Sequence, residues 1–460
     1  MIKSSLLILL CFVIISSCAI EKKNPEIDEP KKASQLQEIL KNSTEDVLLH
    51  PDVNVFLTSS IVPIWQNNAY LYGRAMDLKT DNVYKTGFEI SQKILMMNED
   101  YDYKRDYDNS FLNDYEKIDI PNNEDFCSLR EIDCFSELMK HFPEILNKSK
   151  HYEELQYRYE SFIAYEYFSD PVLWVLESNF PLVSYRVLTN GIKIKNIHWL
   201  EELMRGNKEL IIPQIYAEAI AIKRLLAQAD SLIAKMVFAY LYSEHLELVN
   251  VALAMKWLTI EDISNLESLS PLTSAELSTQ KAWHNEEKVK MRMLQNTLHK
   301  DQADNILIDL FYPELPPKMV KPNLILNTLY FNFFKPLMAY MDLLPDEYYQ
   351  GLSEFNIHIT FDEIENPVGT LLNISPDQVK DQYLEYQARI FSLNMKAQLL
   401  RALVEQGTYE SVISKANIGH KAYLNHFDQS PPIMDENQIC YSGIFEGNKG
   451  LRCLNIIKSQ

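Results

Sequence analysis

Residues 210–227, LIIPQIYAEAIAIKRLLA, and residues 230–258, DSLIAKMVFAYLYSEHLELVNVALAMKWL, form the apolar middle of the chain. In the first, Ile211, Ile212, Ile215, Ala219, Ile220, Ile222, Leu225 and Leu226, and in the second, Leu232, Ile233, Met236, Val237, Tyr240 and Leu241, spread nearly all round a helix. A helix that is apolar on every side belongs inside a protein core or a membrane. A permanent span needs about 18 to 20 residues with few charges, and Lys235, Glu244, Glu247 and Lys256 interrupt the second run. The spacing therefore predicts two buried core helices. Charges on such helices need partners, because an isolated charge in an apolar interior is costly. Asp230, Lys235 and, from another helix, Arg389 are the residues expected to form buried ion pairs that fix helix register.

On the C-terminal side, residues 273–300 are rich in Glu, Lys and Gln and open with Thr273 and Glu276 at capping-box spacing, which predicts a polar surface helix. Pro313, Pro316, Pro317 and Pro322 break the chain and make a subdomain boundary, before an apolar aromatic helix over 324–344. Asn366-Pro367-Val368-Gly369 is a turn signal. Ser375, Pro376 and Asp377 supply the N-cap, first helical residue and first-turn acid of a helix running to about Glu405 and closed by Gly407. After Tyr423, short segments carrying Ile439, Tyr441, Ile444 and Phe445 predict a small hairpin.

On the N-terminal side, Leu36, Ile39, Leu40, Val47 and Leu48 begin the folded body, and helical periods run through 128–150 and 151–168. No period of 34 or 40 residues repeats, so a tetratricopeptide array is not supported. Only 11 glycines occur in 460 residues, which argues against sandwiches, barrels and phosphate-cradling folds, and a hydrophobic content of 47% excludes wholesale disorder. The expected fold is all-α: a multi-helix bundle or irregular helical array with a small C-terminal β-hairpin. Its regions are an N-terminal helical part (35–312), a C-terminal helical part (313–420) and a tail (421–460).

The first residues give an address. Met1-Ile2-Lys3 is a short basic start, and Leu6 to Ile15 is an apolar stretch of ten residues, too short for a permanent span. Ile15-Ser16-Ser17-Cys18 then resembles the lipobox of bacterial lipoproteins. That resemblance implies a signal peptide over 1–17, cleavage before Cys18, and acylation of Cys18 as the membrane attachment, three acyl chains anchoring far better than one. Residues 18–34, charged and containing two prolines, read as a flexible tether. The resemblance also implies that Ala19, where an Asp tends to retain such lipoproteins in the inner membrane, favours the periplasmic face of the outer membrane.

Removing 1–17 discards Cys11 and one lysine, taking the net charge from −20 to −21. Cys127, Cys134, Cys440 and Cys453 then remain in an oxidising compartment, with three possible pairings. Local pairing, Cys127 with Cys134 and Cys440 with Cys453, is the simplest. Neither spacing matches a zinc motif, and His426 is a single further ligand, so no metal site is expected. The acidic balance disfavours nucleic acid. Much of it lies in Glu99 to Asp125, ten acids against three bases, which reads as a solvated loop. A calcium frame begun at Asp100, with Asp102, Asp106 and Asp108, fails at Arg105, where that turn requires glycine.

No H-E-x-x-H or G-x-S-x-G motif occurs. Ser278-Thr279-Gln280-Lys281 matches S-x-x-K and Lys85-Thr86-Gly87 matches K-T-G, but in reversed order and without the middle element of the penicillin-binding enzymes. His284 beside Glu286 and Glu287 has the components of a general base but no nucleophile. Trp65, Tyr70, Tyr72, Trp174 and Trp257 are read first as helix packing, and otherwise as a groove for a peptide, glycan or acyl chain. No cofactor is expected.

Ala229 to Met236 (ADSLIAKM), Asn366 to Gly369 (NPVG) and Tyr386 to Leu393 (YQARIFSL) resemble a family of uncharacterised helical envelope lipoproteins of gammaproteobacteria, over about residues 60–450. The resemblance implies a helical fold and carries no activity; Asn394 stands where that family is expected to have an acid. The functional expectation is a lipid-anchored protein that binds a protein partner, in one form a basic one, or an envelope component, in a scaffold, accessory or immunity-type role. A carrier of a small apolar ligand or peptide is the alternative, and a hydrolase acting on envelope material the third.

Overall fold

The computed structural model describes residues 48–58, 64–99, 114–122, 125–170, 183–263, 270–299, 322–341, 343, 345–351, 376–443 and 451–457. Residues 1–34 with Cys18, Asp100 to Asp108, Trp174, Pro313 to Pro317, Asn366 to Gly369 and Ser375 lie outside them.

The helices are α1 (Pro51–Thr58), α2 (Ala69–Ala75), α3 (Val83–Glu99), α4 (Cys134–Lys140), α5 (Phe142–Lys150), α6 (Glu153–Ala164), α7 (Tyr185–Met204), α8 (Lys208–Gln228) and α9 (Leu232–Ala254). They continue as α10 (Ile260–Ile263), α11 (Ser274–Leu277), α12 (Gln280–His299), α13 (Pro322–Leu329), α14 (Lys335–Met341), α15 (Pro345–Gly351), α16 (Pro376–Gln406) and α17 (Tyr409–Asn417). Near the end, β1 (Ile433–Met434), β2 (Gln438–Cys440) and β3 (Cys453–Asn455) form an antiparallel sheet in that order. The fold is all-α with a small C-terminal β element, as expected, the hairpin gaining a third strand.

The expected core helices are α8 and α9. Helix α9 is buried all round from Leu241 to Ala252, but Ile233 near its start is exposed, and α8 leaves Leu210, Tyr216 and Ile220 exposed on one side, so the expected all-round burial holds only for the second half of α9. It starts where Ser231 accepts the Ala234 amide and Glu286 of α12 accepts the Leu232 amide, so a side chain from another helix satisfies one of the donors a helix start leaves free. Helices α7, α8 and α16 pack on α9. Helices α6 and α7 pack tightly at Gly191, where a Cβ would lie 2.5 Å from the Tyr159 Cβ and 2.8 Å from the Leu155 carbonyl oxygen. Helix α16 ends as predicted: Gly407 takes φ +78° and its amide returns to the Leu403 carbonyl.

One hydrophobic cluster extends from Val53 through α6 to α9, α12 and α16 to Leu454. The helices on either side of the proline-rich stretch thus share a core. The tail also belongs to it: Cys453 and Leu454 are buried, Asn250 of α9 donates to the Asn455 carbonyl, and the Asn455 amide donates to the Leu129 carbonyl.

Two expectations need correction. Residues 273–300 form two helices, α11 and α12, and α12 buries Ala282, Trp283, Glu287, Lys288 and Met291 instead of lying on the surface. The apolar helix over 324–344 is α13 and α14 joined by a π-turn, Tyr330–Phe334.

Candidate functional site

Both local cysteine pairs are disulfides, Cys127–Cys134 and Cys440–Cys453. The second joins directly facing residues of β2 and β3. Beside it lies a cleft of about 220 Å³ lined by Ile433, Asp435, Tyr441, Ser442 and Arg452, smaller than the ~300 Å³ at which small-molecule pockets begin. Among the described residues no three His, Cys, Asp or Glu side chains gather closely enough to hold a metal ion, and no helix is long and apolar enough to cross a membrane.

The three residues expected to form buried ion pairs are separated. Lys235 donates to the Leu226 carbonyl in the last turn of α8 and to the Glu276 carbonyl in α11, each at 2.7 Å. Its amine sits at two helix C-termini, where unpaired carbonyls carry partial negative charge. Burial lowers its amine to about 7, with Glu276 opposing that shift. Asp230 accepts the Asp170 amide at 2.6 Å, and its carboxyl is raised to about 7 by burial first and by the Asp170 charge second. Arg389 lies in a partly exposed pair with Glu385 and over the Tyr386 ring.

Other residues form the interior ion pairs. Glu218 of α8 accepts hydrogen bonds from Lys195 of α7, His245 of α9 (2.8 Å) and the Tyr159 hydroxyl of α6 (2.7 Å), so one carboxylate joins four helices. Burial pushes its carboxyl up, but Lys195 and His245 outweigh that effect and hold it at about 2. Lys195 also lies 3.8 Å from the centre of the Trp199 ring. Lys396 of α16 pairs with Glu247 of α9 at 2.7 Å and donates to Ser243, and Arg74 of α2 meets Asp170 at 3.4 Å. Glu244 accepts from the Ser128 hydroxyl and the Leu129 amide and so ties α9 to the Cys127–Cys134 loop. These groups are buried and paired across helices, an arrangement that fixes register.

The hydrolase candidates do not converge. Ser278 accepts the Gln280 amide, Lys281 donates to the Gln228 carbonyl, and Lys85 reaches Glu89 on the surface. His284 lies against Met338 and the Phe56 ring, with its imidazole lowered by burial and by Lys288. Glu286 caps α9 and Glu287 pairs with Lys290.

The described part of the acidic segment is held by cations. Glu116 pairs with Lys79 at 2.9 Å, Asp125 with Lys148 at 2.7 Å, and Asp119 lies 3.5 Å from His151. Arg186 and Lys193 of α7 donate to the Pro121 and Phe126 carbonyls.

The aromatics named from the sequence divide. Tyr70 and Tyr72 are buried, and Trp257 packs on Phe135. Trp65, however, is half-buried beside Phe88, with ring centres 5.4 Å apart. Tyr84, also half-buried, donates its hydroxyl to the Trp65 carbonyl and stacks on half-buried Tyr165 at 5.2 Å. Residues 67–69 and 166–167 run together at this edge: Tyr167 donates its amide to the Asn67 carbonyl and accepts the Ala69 amide. Asn67 is held at φ +49°, with its exposed side chain 3.1 Å from the exposed Glu166 carboxylate. Phe88 and Tyr84 were not singled out from the sequence, and Tyr165 was read only as part of the helical period over 151–168.

No protein-family model matches the chain, and no curated protein and no solved structure matches it.

Proposed function

We propose that the chain is a lipid-anchored envelope protein on the periplasmic face of the outer membrane, acting by binding a protein partner or an envelope component. The observation that carries this reading is Ile15-Ser16-Ser17-Cys18 behind a basic start and a short apolar stretch. The two disulfides are consistent with it, since such bridges persist in oxidising compartments. A binding role fits a core whose charged groups are tied to one another, while exposed acids such as Glu116 and Asp119 remain along the acidic edge. Pairs such as Glu116–Lys79 are exposed and weak, so a basic partner can displace the lysine.

The test is fractionation of cells producing the wild-type chain and Cys18→Ser, with metabolic palmitate labelling. The wild type is expected in the membrane fraction and labelled, the variant unlabelled and released from the outer membrane. Unchanged membrane association of Cys18→Ser overturns the anchor. Affinity capture of the native protein from its own envelope, followed by mass spectrometry of bound protein, glycan and lipid, then identifies what it binds.

A further inference from the structure

We propose that residues 165–170 form a strap closed by a proton-operated clasp, in which the Asp230 carboxyl holds the Asp170 amide while protonated and loosens its hold on losing the proton. The strap follows α6 and links the start of α2 to the end of α8 through bonds to its backbone. On the α2 side, Tyr167 exchanges backbone hydrogen bonds with Asn67 and Ala69, and the Asn68 side chain accepts the Ser169 amide and donates to the Ser169 carbonyl. On the α8 side, Arg224 donates to the Tyr165 carbonyl, and Gln228 donates to the Glu166 carbonyl and accepts the Phe168 amide. The last bond of the series runs from the Asp170 amide to Asp230, in the turn between α8 and α9, at 2.6 Å. The Tyr167, Phe168 and Ser169 amides meet carbonyl or side-chain amide oxygens, so Asp230 is the point at which a proton acts on the strap.

The charges around the clasp do not balance. Arg74 of α2 pairs with Asp170 and donates to the Tyr70 hydroxyl, and no cation among the described residues forms an ion pair with Asp230. Asp230 is 1% exposed, and its Oδ1 has no hydrogen-bond partner among the described residues. Lys281 of α12 acts on it only at a distance, its amine donating to the Gln228 carbonyl. The other titratable groups nearby are hydroxyls, Tyr70 of α2 and Tyr185 at the start of α7, both raised by burial. Two buried carboxyls thus face one guanidinium, and a carboxylate shielded from water without a counter-charge is costly. Burial first and the Asp170 charge second raise the Asp230 carboxyl to about 7, outweighing the opposite pull of the Asp170 amide and of Lys281. When the strap lifts off the turn, water reaches Asp230 and its carboxyl returns toward the ordinary 3.8. Between about pH 4 and 7 the closed strap therefore holds a proton that the lifted strap does not, and the lifted population grows about tenfold for each pH unit across that range. Above 7 both forms are ionised and the ratio levels. Acid fastens the clasp.

The test is hydrogen exchange of the full chain purified in detergent, read by mass spectrometry on peptides covering 165–170 from about pH 5 to about pH 8, with rates corrected for the pH dependence of exchange in unstructured peptides. Protection of the Phe168, Ser169 and Asp170 amides is expected to fall about tenfold per pH unit up to about 7 and to level above it. Asp230→Asn, whose side-chain oxygen still accepts the Asp170 amide, is expected to give the same protection at every pH, and more than the wild type at about pH 8. Urea well below the unfolding midpoint is expected to leave these rates unchanged, because lifting the strap exposes little surface. Protection independent of pH in the wild type overturns the proposal, as does an undiminished pH dependence in Asp230→Asn or exchange that accelerates with urea as global unfolding does.

Discussion

The Glu218 junction makes the sharpest demand on the structure. Its carboxylate and the Lys195 amine are both almost wholly shielded from water, and the carboxyl lies at about 2 against an ordinary value of 4.5. Pairing with Lys195 and His245 thus favours the charged carboxylate in the folded state and contributes to stability. Burial pulls the Lys195 amine down at the same time, so the pair as a whole contributes less than the carboxylate's shift alone. Glu218→Gln leaves Lys195 in the interior without a counter-charge, and breaking a buried pair from one side costs about 3–5 kcal/mol. The paired change Lys195→Met with Glu218→Leu removes both charges and is expected to lose distinctly less. Because the folded carboxyl lies below its unfolded value, its contribution is fully present above about pH 4.5 and is lost as pH falls toward 2. Urea titrations at pH 7 and pH 3 measure both effects. A Glu218→Gln variant within about 1 kcal/mol of wild type at pH 7, with an unaltered acid limb, refutes the reasoning.

Asp230 predicts the opposite dependence. Its folded carboxyl is raised to about 7, so stability is highest below about pH 4 and falls as pH rises through 7; Asp230→Asn is expected to raise the Tm at pH 8 and leave it nearly unchanged at pH 4. The amide oxygen of the new Asn accepts the Asp170 amide as the carboxylate did, and a lower Tm at pH 8 counts against the assignment. Reduction of Cys440–Cys453 opens a loop spanning 13 positions and is expected to cost about 3 kcal/mol, with Cys127–Cys134 costing slightly less; thiol titration of the unreduced, unfolded mature protein should find none of these four cysteines free. Gly191→Ala places a methyl group against Tyr159 and Leu155 and is expected to destabilise by about 1–3 kcal/mol, read as a lower urea midpoint; wild-type stability contradicts the packing of α6 on α7.

What could be read from the chain depended on how local the signal was. The second half of α9 was legible because apolar residues all round a helix belong in a core, whereas the same reading went too far for α8, whose Leu210, Tyr216 and Ile220 are exposed; the closure of α16 was legible because Gly407 sits where a left-handed cap is needed. Helix α7 was passed over: Gly191 and the alternating Ile192-Lys193-Ile194-Lys195 hide its helical period, yet Lys195 points inward because Glu218 waits there. Helix α12 misled in the other direction, since a polar composition was taken for a polar environment while Glu287 and Lys288 are buried beside Trp283. The same limit applies to the charges. That Glu244 and Glu247 need partners follows from their own helix, but Ser128 and Lys396 become those partners only through the packing of distant segments. The packing of Trp65 and Tyr165 belongs to this second kind. Trp65 and Tyr165 carry no mutual pattern in sequence, and they share a surface because residues 67–69 and 166–167 are paired through their backbones.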